Sequence, residues 1–151
     1  MTLPAYGLRP GDAISRVEIA SSSRVVKATA ESTGGALSAW ESIFPGGEAS
    51  PLHLHSDSAE FFYILEGEVS FYLDGRWFDA EPGAFIAVPR GARHGFRVSS
   101  QKARLLAMFS PAAMLGMWEE IAAAGGSVDR ETYAVLARRY RMEEFGRLPD
   151  R

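Results

Sequence analysis

At 151 residues, with a formal net charge of -3 and a sequence pI near 5.6, the chain has the length of one ordinary domain and no excess of basic residues. Lysines and arginines are scattered along it, which argues against nucleic acid or an anionic membrane as partner, and the lack of cysteine excludes a disulfide framework. The opening Met1-Thr2-Leu3-Pro4-Ala5-Tyr6-Gly7 has neither a basic start nor an apolar run, and no apolar segment approaches a membrane span, so a soluble cytoplasmic protein is expected.

No Ser/Pro-rich or charged linker divides the chain, so one domain over 1–151 is expected, with a barrel core over about 15–110. In chain order, short β-type runs lie at Val25–Ala28, Ala39–Phe44, Phe61–Leu65, Val69–Leu73, Trp77–Ala80, Phe85–Val88, Phe96–Val98 and Leu105–Phe109. Gly, Pro, Asp or Ser separates one from the next, a spacing that predicts an all-β barrel. Asp74-Gly75 predicts a two-residue hairpin turn, because both positions of a type I′ turn need positive φ. After Phe109 the period changes. Ser110-Pro111 reads as a helix N-cap with proline at the first helical position, and Met114, Leu115, Trp118, Ile121 and Ala122 recur at helical spacing before Gly125-Gly126. Two C-terminal helices are predicted, over about 111–124 and 129–140. Their apolar stripe reads as packing on the barrel or on a partner subunit, with a lid carrying the adaptable Met114 and Met117 as the alternative.

All three histidines fall in one spaced pattern, Gly47-x5-His53-x-His55-x4-Glu60-x6-Gly67 followed by Gly83-x5-Pro89-x-Gly91-x2-His94. His53 and His55 are two residues apart, so on a strand both rings leave from one face. The polar stretch Ser56-Asp57-Ser58-Ala59 lets the chain reverse and aim the Glu60 carboxylate back at them, which predicts three ligands on one hairpin. His94 follows a Pro/Gly segment suited to a close approach into a new strand. Three imidazoles and a carboxylate suit a single divalent transition metal, Fe, Mn, Ni, Co or Zn, whereas a closed structural zinc site prefers cysteine-rich tetrahedra.

These positions resemble the two motifs of the cupin superfamily, G-x5-H-x-H-x3,4-E-x6-G and G-x5-P-x-G-x2-H-x3-N. The first matches throughout; the second lacks only its final Asn, which is Val98 here, a position that bears on pocket polarity and not on metal ligation. The resemblance implies a double-stranded β-helix, or jelly-roll, barrel with His53, His55, Glu60 and His94 as metal ligands. Thr33-Gly34-Gly35 and the Phe109–Met114 entry to the helix resemble single-domain bacterial cupins grouped with quercetin 2,3-dioxygenase, a grouping that hosts several reactions. It implies a dioxygenase for a phenolic, flavonol-like or enol-containing aromatic substrate; the alternatives are a redox-neutral cyclase or isomerase for a polyketide-type substrate and a non-catalytic small-molecule-binding cupin. Glu60 is either a ligand only or also the base that takes a proton from the substrate.

Alternation outward from the ligands points Phe62, Ile64, Phe96 and Val98 inward, as it does Phe71 on its own strand. Taking Glu41 as outward puts Trp40, Ser42 and Phe44 inside. The resulting pocket is aromatic and nearly free of cations, suited to a flat apolar substrate and lacking the Arg or Lys that a phosphate or keto acid needs. Arg93 and Arg97 point outward by the same parity. Phe61, Tyr63 and Leu65 alternate with Phe62 and Ile64, leaving both faces of that strand apolar, so a homodimer is expected.

Overall fold

A computed structural model describes residues 2–151. The elements in order are β1 (Ser15–Ile19), β2 (Ser22–Ala28), α1 (Ala30–Thr33), β3 (Ser38–Pro45), β4 (His53–His55), β5 (Ala59–Glu66), β6 (Val69–Leu73), β7 (Arg76–Ala80), β8 (Phe85–Val88), β9 (His94–Val98), β10 (Lys102–Ser110), α2 (Leu115–Ala123), α3 (Arg130–Arg139) and β11 (Met142–Glu144). They form two antiparallel sheets, one in the order β1-β2-β3-β10-β5-β8 and the other β11-β4-β9-β6-β7. The predicted all-β jelly-roll barrel with C-terminal helices is the observed architecture.

The period-two pattern explains the core. On β10 the residues Ala103, Leu105, Ala107 and Phe109 are buried while their neighbours Arg104, Leu106 and Met108 are only half-buried. Their cross-strand partners on β5 and β3 include Ile64, Phe62, Trp40 and Phe44, also buried, so the inner face is largely apolar, interrupted by the buried Ser42 opposite Leu105 and Glu60 opposite Phe109. Leu73 and Arg76 pair across the Asp74-Gly75 turn, and both turn residues have positive φ (45° and 91°), as a type I′ connection requires. Gly67, which joins β5 to β6, has φ 79°, and a Cβ there would lie 2.1 Å from the Lys102 carbonyl oxygen.

The first C-terminal helix starts later than predicted. Ser110 completes β10 opposite Ala59, and the helix begins at Leu115 with Met114 as its N-cap in the left-handed region. The Ser110 hydroxyl donates to the Ala36 carbonyl (3.0 Å), and the Ser38 hydroxyl donates to the Ala113 carbonyl (2.8 Å). These bonds fix the segment against the entry to β3 and override the local capping signal at Ser110-Pro111. The second helix begins where predicted, with the Asp129 carboxylate accepting from Thr132 N (2.7 Å). Among the described residues no helix is long and apolar enough to cross a membrane.

Candidate metal centre

His53 and His55 share a face of the short strand β4, and β4 lies between β9, which carries His94, and β11. His53 pairs directly with His94 across the sheet. Glu60 does not share a hairpin with the two histidines as the sequence suggested. β5 belongs to the opposite sheet, so the segment after His55 carries the chain from one wall of the barrel to the other. The carboxylate therefore meets the imidazoles across the barrel interior. The ligand-type atoms of all four residues lie within 4.8 Å of one another, and all four side chains are buried.

Hydrogen bonding fixes which nitrogen faces the centre. His53 Nδ1 donates to the Pro51 carbonyl (2.8 Å) and His94 Nδ1 to the Ala92 carbonyl (3.0 Å), so Nε2 of each ring is turned away from these backbone partners. His94 Nε2 lies 2.7 Å from Glu60 Oε2, and His55 Nε2 lies 3.1 Å from the same oxygen. The His55 contact is off the hydrogen-bonding direction, so neither ring nitrogen of His55 has a hydrogen-bond partner despite full burial. A buried imidazole left in this state is costly, and coordination to a cation would satisfy it. The donor set, its spacing and this orphaned ring all fit a divalent metal ion.

The protonation equilibria fit the same picture. Burial, reinforced by the neighbouring His94, pushes the His53 imidazole down to about 4, so it is neutral and its lone pair is free at ordinary pH. Burial opposes the charge of Glu60, but the adjacent His55 and His94 outweigh that and hold its carboxyl below the usual carboxylate range. Burial also disfavours a charged His94, yet the hydrogen bond to Glu60 and its charge raise that ring above its ordinary value. Both ring nitrogens of His94 lie against oxygens, Nδ1 at the Ala92 carbonyl and Nε2 at the Glu60 carboxylate, an arrangement that favours the protonated ring.

The centre opens into a cavity of about 340 Å³. His53, His55 and Glu60 line it, whereas His94, only 1% exposed, lies behind them. Trp40, Ser42, Phe44, Phe62 and Phe96 also line the cavity, each on the face that alternation assigned. Ile64, Phe71 and Val98 do not reach it and belong to the packed core, where Phe71 lies 5.0 Å from Phe62 between ring centroids. Val98, at the departure from the second motif, therefore leaves the polarity of the cavity unaffected.

Other lining residues come from outside the predicted set. Phe109 stacks on Trp40 at 5.5 Å and meets His55 edge-on at 4.9 Å. Met114, Trp118, Ile121 and Tyr133 bring the C-terminal segment into the wall, so the helical region lines the cavity within one chain. Arg24 also lines it and is buried, which corrects the expectation of an interior nearly free of cations. Arg93 lies over the Phe145 ring and Arg97 near Trp77, both exposed as parity predicted.

Residues 40–109 match the Cupin domain family. A 60-residue segment, 40% of the chain, is 35% identical to quercetin 2,3-dioxygenase of Bacillus subtilis and covers 18% of that protein. A 72-residue segment is 36% identical to the protein named polyketide synthase CurC of Streptomyces cyaneus and covers 47% of each chain. The matched segments thus span less than half the length of these curated relatives. Among solved structures, an RmlC-like cupin from Shewanella frigidimarina superposes with a TM-score of 0.60 at 22% identity, over 72% of this chain and 92% of its own, a likeness of fold. With the two-sheet barrel and the His–His–Glu–His cluster already described, the family match identifies residues 40–109 as a cupin domain.

Proposed function

We propose that the protein is a metal-dependent enzyme acting as a dioxygenase on a phenolic or enol-containing aromatic molecule. The observation that carries this reading is a buried His–His–Glu–His cluster opening into an aromatic-walled cavity. His53, His55, Glu60 and His94 hold one divalent transition-metal ion, Fe, Mn, Ni, Co or Zn. Such an ion supplies Lewis acidity and, if redox-active, electron transfer towards dioxygen. Trp40, Phe44, Phe62 and Phe96 provide flat apolar walls that orient a ring and keep water from the reacting oxygen. Glu60 lines the cavity beside the other three ligands, within reach of an entering hydroxyl, and in this reading its carboxylate accepts that proton while the O–H electron pair stays on the substrate oxygen. The similarity to the Bacillus subtilis quercetin dioxygenase supports this reaction class.

A second reading, a redox-neutral cyclase or isomerase, is favoured by the similarity to CurC. There Glu60 returns the proton to another atom of the same molecule. Oxygen-electrode measurements decide between the two, using flavonols and polyphenolic enols with protein reconstituted separately with each of the five metals. Oxygen uptake in step with substrate loss is expected. Substrate loss without oxygen uptake assigns the redox-neutral reaction, and saturable binding with no turnover of any substrate refutes both in favour of a binding protein.

A further inference from the structure

The cavity holds a buried cation that no step of the proposed reaction uses. Arg24 is 5% exposed on the inner face of β2, and among the described residues no carboxylate lies within ion-pair distance of its guanidinium. Its Nη1 donates to the Ser22 hydroxyl (2.9 Å), its guanidinium carbon lies 4.1 Å over the Trp118 ring, and its Nε is buried without an acceptor. Burial pulls the group down to about 10, so it stays charged at neutral pH, with only the longer-range influence of Tyr133, Glu48 and Glu18 favouring that charge. A desolvated guanidinium with an open donor is costly unless an anion completes it.

Strand register locates this charge relative to the metal centre. Arg24 pairs with Ser42 and Ser42 with Leu105, while Glu60 pairs with Phe109. The two ends are thus separated by four residues of β10, roughly 13 Å along the strand. Trp40, Phe44, Phe62 and Phe109 line the cavity they share. From this arrangement we infer that Arg24 is a specificity-determining residue that binds a carboxylate on the aromatic substrate, at the end of the cavity away from His53, His55 and Glu60. The inference rests on the proposed reading of the cavity as an aromatic substrate site and adds that the substrate is an acid. A planar guanidinium pairs with a carboxylate through two parallel hydrogen bonds. One buried cation balances a monoanion, whereas a dianionic phosphate ester would leave uncompensated charge beside Glu48, which also lines the cavity.

The test is calorimetric titration of the full chain, at matched metal content, with 2-naphthol, 6-hydroxy-2-naphthoate and 2-naphthyl phosphate. Wild-type protein is expected to bind the naphthoate at least about tenfold more tightly than the naphthol, the gain of a charge-assisted contact in a desolvated site. In Arg24→Gln the ratio should fall to about one, and in Arg24→Lys, which keeps the charge but not the fork, it should be intermediate. A wild-type ratio near one overturns the inference whether or not the variants fold. So does an Arg24→Gln protein that melts earlier but keeps the ratio, which would make the arginine a brace for Trp118. Preference for the phosphate overturns the carboxylate assignment. No binding of any of the three overturns the aromatic-site reading and the anchor with it, whereas naphthol binding without a carboxylate preference removes the anchor alone.

Discussion

Replacing Glu60 by glutamine keeps the side-chain volume and one carbonyl oxygen while removing the charge shared by His55 and His94. The lost interactions are the 2.7 Å contact to His94 and the 3.1 Å contact to His55, both made by Oε2. A buried hydrogen bond to a charged group contributes about 1.5–3 kcal/mol net and a neutral one about 1 kcal/mol, so the metal-free variant should be less stable by about 1–2 kcal/mol. For a chain of this size that lowers Tm by roughly 2–8 °C. Metal adds a second difference. A ligand at a hundred times its Kd stabilises the wild type by about 2.7 kcal/mol, and the variant, with no anionic donor, should gain much less from the same metal concentration. Differential scanning calorimetry with and without Mn, Fe, Co, Ni or Zn measures both effects, and elemental analysis fixes occupancy. Any residual turnover of fully metallated Glu60→Gln should stay about 10²–10⁴-fold below wild type if the carboxylate is also the base. A variant that melts with the wild type and is stabilised equally by every metal would refute a role for Glu60 in the centre. Near-wild-type turnover at full occupancy would leave it a ligand without the proton role.

The other expectations are independent of substrate. Purified protein should carry up to one first-row divalent ion per chain, and His53→Ala or His94→Ala should lower that content sharply by elemental analysis; equal emptiness of wild type and variants after reconstitution rejects the metal centre. In the metal-free protein, His53 sits at about 4 when folded against 6.5 ordinarily, so the unfolded chain takes up a proton first as pH falls. Stability should be lost between about pH 6.5 and pH 4, by up to about 3 kcal/mol at ~1.36 kcal/mol per pH unit, and urea unfolding of His53→Gln should show a flatter acid limb. Gly67→Ala brings a Cβ to 2.1 Å from the Lys102 carbonyl oxygen at φ 79°, and should cost about 3 kcal/mol or more in chemical denaturation. Tyr63 and Phe85 are exposed on adjacent strands β5 and β8, with Phe85 stacked on Phe61. A dimer through this face should be visible by light scattering at tens of micromolar and be weakened by Phe85→Lys, whereas a monomeric wild type rejects it.

The parts of the fold legible in the sequence are those carried by short-range rules. Alternation assigned the inner faces of β3, β5 and β9, and Asp74-Gly75 a turn, because each depends on neighbours one to three residues away. The metal cluster was legible for a different reason, since its spacing has no local structural cause and resembles a family pattern. Long-range features were not legible. Nothing near His55 or Glu60 says that the intervening polar residues cross between sheets instead of closing a hairpin. β11 was missed because Met142-Glu143-Glu144 has no apolar run; it is a strand only because it pairs with β4, opposite His53 and His55.

Arg24 shows most clearly why the interior chemistry was hidden. Reading β2 from its apolar residues starts the strand at Val25, which leaves Arg24 in a loop and its direction undefined. The strand in fact begins at Ser22, and Ser22, Arg24 and Val26 alternate into the barrel. The available signal was this parity with Val26, but a charged residue at the end of an apolar run is ordinarily solvent-facing, and only the later helix that brings Trp118 over its guanidinium encloses it. The same helix shapes the cavity wall through Ile121, with Tyr133 contributed by the helix that follows. The ligands were thus specified within the barrel strands, while the chemistry expected to select the substrate depends on how the C-terminal segment folds back onto them.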